Sequence, residues 1–138
     1  MRFLPLLAAA LCTLFATDAA ACRIAWRAEN ALPRATQYAA NIFVGRVVSS
    51  QPPSNGSPLG EIAPVVILRG SSPSPFVVPD DEMIHTCSPL TRDWMAAVHE
   101  GQNVLVLTNA QNWPLVIVPY ESDYGRLVRS ALEEAPAE

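Results

Sequence analysis

The chain has 138 residues, of which half are hydrophobic and 13 are proline, and its formal net charge is −4. All nine of its basic residues are scattered arginines, which excludes the basic stripe that nucleic-acid binding requires. The length suits one domain with a modest core. Beyond the N-terminus the apolar runs, such as residues 104–107 and 115–118, are strand-sized, far short of the ~20 apolar residues that span a bilayer.

The N-terminus reads as an export signal. Met1 and Arg2 make a short positive start. Residues 3–15 are apolar apart from Pro5 and Thr13, and residues 16–21 are small and Ala-rich apart from Thr17 and Asp18. This order predicts a secretory signal peptide over residues 1–21, with a retained anchor helix as the alternative. Cleavage after Ala21 satisfies the small-x-small rule and leaves Cys22 as the first residue of a domain spanning residues 22–138; cleavage one or two residues earlier satisfies the same rule. It removes Arg2 and Asp18 together, so the net charge is unchanged. A Cys after small residues also raises lipoprotein processing, in which the thiol is acylated; Ala19 then stands where such signals usually carry Leu. The expected location is therefore secreted or periplasmic, with lipid anchoring through Cys22 as the alternative.

Cys12 leaves with the signal. Cys22 and Cys87 remain, an even pair in an oxidising compartment, so a disulfide is expected. On the chain-entropy estimate such a closure contributes roughly 4 kcal/mol. Two free thiols, one of them lipidated, are the alternative.

Along the domain, residues 22–29 form a leader containing Trp26. Residues 32–40 predict a short helix, with Pro33 in its first turn, where a missing N–H costs nothing, and Asn41 as its exit. Residues 42–48 predict the first strand, in which Gly45 marks a bulge or bend. Pro52, Pro53, Asn55, Gly56 and Pro58 predict a loop over residues 51–60. Residues 61–69 predict the second strand, with Pro64 confining its first half to an edge or bulge. A turn at 70–75 precedes a third strand at 76–78, and Asp80, Asp81 and Glu82 form an acidic corner. Cys87 falls in a connector. Thr91 can cap a short helix that sets Trp94 and Val98 on one face, followed by a turn at 100–102. Residues 104–107 and 113–118 predict the fourth and fifth strands, joined by a hairpin at 109–112. Ser122 predicts the cap of a last helix whose apolar side carries Tyr124, Leu127, Val128, Ala131 and Leu132. Five short strands with few helices predict a mainly β fold, a small closed barrel.

Several residues could carry chemistry, and each has a plainer use. His85 and Cys87 could offer a metal two ligands, too few for a site, so His85 is read as a connector residue. Asp93 and His99 could form an acid–base pair, but no nucleophile motif accompanies them, and a solvated helix end is the plainer reading. Asp80, Asp81 and Glu82 lack the alternation and Gly of a calcium loop. Asn55-Gly56-Ser57 is a glycosylation sequon where the host glycosylates exported proteins. Trp26, Trp94 and Trp113 are assigned to packing.

A further pattern runs through the chain: Cys22 directly after the signal, a helix, then Phe43-Val44-Gly45-Arg46-Val47, a strand ending in Arg69-Gly70, an isolated Cys87, and Gly101-x-x-Val104-Leu105-Val106-Leu107. In order and spacing this resembles the netrin-like domains, specifically the tissue inhibitors of metalloproteinases and their bacterial relatives. The resemblance covers nearly all of residues 22–138 and implies a five-stranded OB-fold barrel with short flanking helices and a C-terminal helix. It implies that Cys22 is bonded to Cys87, as the N-terminal Cys of the inhibitors is bonded to a connector Cys after the third strand. It also implies that the free amine and carbonyl of Cys22 chelate the catalytic zinc of a target protease. A terminal amine with a pKa of about 8 has a neutral fraction at working pH, and catalytic zinc keeps an open position for nitrogen and oxygen ligands. The chain departs from the inhibitors at Ile24, where they carry a second Cys, and at Arg23, where they place a small hydroxyl residue in the protease pocket. Only one of the family's several disulfides can form.

The sequence thus predicts an exported, non-enzymatic binding domain with no cofactor and no metal of its own, and the resemblance implies contact with a zinc metalloprotease through Cys22 and Arg23. The alternative is an envelope interaction protein on the same scaffold, without inhibitory activity.

Overall fold

The computed structural model describes residues 28–51, 57–80 and 98–135. Within them the elements run α1 (Ala28–Tyr38), β1 (Asn41–Ser50), β2 (Gly60–Arg69), β3 (Phe76–Val78), β4 (Asn103–Thr108), β5 (Pro114–Pro119) and α2 (Asp123–Glu134). The strands are rich in Val, Ile and Leu, whose branched side chains suit a pleated, packed surface. All pairings are antiparallel, in the order β3-β2-β1-β4-β5. Three successive strands followed by a fourth that returns beside the first is a Greek key, and β5 is added outside β4 by a hairpin. That hairpin closes through Asn109 N–H to Trp113 O and Asn112 N–H to Asn109 O, both at 3.0 Å, with Asn112 at φ 60°.

The sheet curls. Three register shifts interrupt the β1–β2 ladder, and each extra residue bends its strand and increases its twist. Gly45 lies at one of them; a Cβ there would stand 2.3 Å from Ile62 Cγ2, so the bend expected from the sequence is a close approach of β2 to β1. Phe76 and Val78 of one edge strand and Ile117 of the other belong to one inner cluster with Phe43, Val47, Leu59, Ile62, Val98, Val104 and Val106. Phe43 and Phe76 meet edge to face at 5.4 Å, the favoured aromatic geometry. The result is a curled half-barrel. The expected closure is not among the pairings of the described residues: β3 has three residues and pairs only with Gly60, Glu61 and Ile62 of β2.

The outer face of β1, β4 and β5 carries a second core, in which Ile42, Leu105, Leu107, Val116 and Val118 pack against Leu32 and Ala39 and against Val128 of α2. The helices lie side by side over it. Ser122 caps α2 as expected, its Oγ accepting from Gly125 N–H at 3.0 Å. Val128 is buried, and Leu127, Ala131 and Leu132 are half-buried, but Tyr124, placed on the apolar side by the sequence, is exposed, and Gly125 is buried in its stead.

Two further expectations change. α1 starts at Ala28, ahead of the expected residue 32, and Pro33 sits inside it. A proline there removes the bond to the carbonyl of Glu29, which lies in the exposed first turn, where solvent can take that bond. Leu59, expected in a loop, is fully buried in the inner cluster and stitched by its N–H to Val78 O at 2.9 Å. Val98 joins the same cluster with non-helical backbone; the rest of the helix expected from Thr91 lies outside the described residues.

Candidate functional site

Three features stand out among the described residues. The first is the second half of β2. Val65, Val66, Ile67 and Leu68 are consecutive, apolar and between 45% and 58% exposed. Val66 stands opposite Val44 and Ile67 opposite Phe43, so the run touches both faces of the sheet at its margin. Val48 and Val77 are exposed nearby on β1 and β3. Contiguous exposed apolar surface of this kind marks contact sites more often than chance.

The second is a polar knot at the base of β1. Asn41 is buried, and its amide is fully engaged. Nδ2 donates to Thr108 Oγ1 at 3.0 Å, to Asn109 O at 3.0 Å and to Asn112 Oδ1 at 3.3 Å, while Oδ1 accepts from Ser71 N–H at 2.9 Å. The side chain therefore ties β1 to the β4–β5 hairpin and to the turn after β2. That turn needs Gly70, whose φ is 67° and whose Cβ would fall 2.3 Å from Asn41 Oδ1. A satisfied buried amide fixes register, so Asn41 is structural.

The third is a cavity of about 730 Å³ where the C-terminal ends of α1 and α2 meet Arg69. α1 has no basic residue in its last turn. Arg69 of β2 takes that role, its Nη1 donating to Thr36 O at 2.6 Å and to Ala39 O at 3.2 Å, which satisfies carbonyls that a helix end leaves without partners. Arg129 works at the other end of α2: it donates to Tyr120 O, in the chain that enters the helix, and lies 4.4 Å above the Tyr120 ring. Both guanidinium groups are thus engaged in holding the helices.

Cys22 and Arg23, for which the resemblance implies a protease contact, lie outside the described residues, as do Cys87, His85, Asp81, Glu82, Asp93, Asn55, Gly56, Trp26 and Trp94. Of the remaining candidates, Asp80 is half-buried two residues beyond β3, and Ser57 is exposed. His99 is exposed in a connector, its N–H bonded to Gln102 Oε1 at 3.0 Å. Trp113, assigned to packing, is 37% exposed in the hairpin. Among the described residues no three His, Cys, Asp or Glu side chains are grouped to hold a metal, and no described helix is long and apolar enough to cross a membrane.

Sequence reasoning missed the exposed run on β2 and the Asn41 knot. A run of four apolar residues carries no mark of its exposure. The knot had a signal: an Asn at a helix exit together with Asn109 and Asn112 in a hairpin. No family model matches the chain, and no curated protein or solved structure matches it.

Proposed function

We propose that this protein is an exported binding domain of OB type, which presents the start of its mature chain to a protein partner from a rigid curled sheet. The observation that carries the fold half of this reading is the strand order β3-β2-β1-β4-β5 in a curled sheet, since an OB-fold is a partly open five-stranded Greek-key barrel. The partner half rests on the sequence: Cys22 after the signal, Cys87 in the connector after β3, and the likeness to netrin-like metalloprotease inhibitors. A terminal amine and its own carbonyl form a five-membered chelate ring with zinc, and only a first residue offers that pair. A Cys22–Cys87 bond would hold it in place, and preorganisation lowers the entropic cost of binding. The test is an inhibition panel of zinc metalloproteases using protein whose free Cys22 amine has been verified. Inhibition that is lost on adding one Ala before Cys22, with the melting temperature unchanged, is the expected result. No inhibition of any member would end the inhibitor reading.

A second reading is favoured by the exposed run Val65–Leu68. In it the domain is an envelope interaction protein that contacts its partner through the sheet margin and needs no free amine. Binding that survives the Ala extension but falls on Val66→Lys would select this reading.

A further inference from the structure

β3 pairs only with Gly60, Glu61 and Ile62. From Ala63 to Leu68, β2 has β1 on one side and no ladder partner on the other among the described residues. The chain that follows β2 is first held at the start of β1, where the Ser71 N–H donates to Asn41 Oδ1 at 2.9 Å. Among the described residues no backbone hydrogen bond joins residues 71–75 to β2, and Val65, Val66, Ile67 and Leu68 stay between 45% and 58% exposed.

This exposure narrows what can cover the run. Successive side chains of a strand point to opposite faces, so a surface laid on one face of the sheet covers two of the four. A strand added at the edge covers all four, because its own side chains alternate beside them. No charge stands between Glu61 and Arg69, and charge is one of the devices that keep an edge from pairing. Pro64 has no N–H, so the usable stretch starts at Val65.

We infer that this edge pairs with the same edge of a second copy, antiparallel across a two-fold axis. Such an axis sets one residue opposite itself, and two centres keep the run apolar against apolar. Centred on Val66, the incoming Gly70 falls opposite Ile62, a place that Phe76 of β3 already holds. Centred on Ile67, Val66 faces Leu68, and the incoming Gly70 falls opposite Pro64. There the incoming chain turns off, Gly70 having a φ of 67°, before it meets β3. The open length therefore selects the register with Ile67 opposite Ile67. Four half-exposed residues a side are few against the about 20–30 of a standard interface, so the dimer is weak and forms at high concentration. The pairing gives the sheet margin a named partner; it rests on the reading of that margin as a contact surface and not on the inhibitor reading.

Charge at the centre of the register tests it. The exported chain should sediment as a monomer at micromolar concentration and shift toward twice that mass near millimolar, with hydrogen exchange at residues 65–68 slowing over the same range. Ile67→Lys and Ile67→Glu should each abolish the shift, because like charges then stand opposite each other, and an equimolar mixture of the two should regain it. Val48→Lys, at an exposed valine outside the register, should leave it unchanged. A chain that stays monomeric to millimolar concentration would overturn the inference, even where a foreign partner still binds through Val66 and the margin reading stands. So would a dimer that survives both Ile67 variants, one lost equally in Val48→Lys, or one that leaves exchange at residues 65–68 unchanged. Should the Ile67 variants fail to fold, Val66→Lys, at a position 49% exposed, decides in their place: the dimer should be lost, and its persistence would refute the pairing.

Discussion

Two runs of four residues make an instructive pair. Val104-Leu105-Val106-Leu107 of β4 and Val65-Val66-Ile67-Leu68 of β2 have almost the same composition. The first is completely buried, and the second is between 45% and 58% exposed. The difference is position. β4 lies between β1 and β5, with the inner cluster on one face and the helices on the other. β2 has β1 on one side, and along Ala63–Leu68 it has no ladder partner on the other among the described residues. An apolar run specifies a strand; its neighbours decide whether that strand is core or margin.

The comparison can be broken most severely in β4. Leu105→Ala should cost about 2–5 kcal/mol, because a fully buried leucine loses transfer energy and leaves a cavity; urea unfolding measures it, and a loss under about 1 kcal/mol would mean that β4 is less enclosed than described. Asn41→Ala should come next, at about 1–3 kcal/mol, since it leaves buried donors and acceptors without partners. It should also speed hydrogen exchange at Ser71 and at the base of the hairpin together, as both hang on one amide. Ser122→Ala should cost about 1 kcal/mol through the lost cap of α2, and a Ser122→Asp variant should recover most of it. Val66→Thr should change stability by no more than about 0.5 kcal/mol, whereas the same substitution at Val106 should cost about 1–3 kcal/mol for a buried hydroxyl. Equal effects at the two valines would dissolve the distinction between the runs. The exposed Arg126–Asp123 pair, at 2.9 Å, is expected to add little to any of these values.

Much of the fold was legible because its signals are local. The β-branched runs, the Gly45 bend, the Asn109–Asn112 hairpin and the Ser122 cap each declare themselves within a few residues. What was not legible depends on residues far apart. Pro33 suggested a helix start, yet α1 begins earlier because its first turn is exposed and tolerates the missing bond. Leu59 belongs to a stretch that the local composition assigned to a loop, and only the curl of the sheet draws it into one cluster with Val98. Tyr124 fits the apolar side of α2 by spacing, but that side is set by where α1 lies. Of the candidate site, the sequence offered Cys22, Arg23 and Cys87, while the sheet margin emerged only from pairing.

The central claim, an exported domain that presents a braced Cys22, is tested most directly by peptide mass mapping of the exported protein under non-reducing conditions. The account predicts a chain that begins at Cys22 with an unmodified amine and a peptide pair joining Cys22 to Cys87. A chain that begins elsewhere, an acylated Cys22, or two cysteines open to alkylation would contradict it.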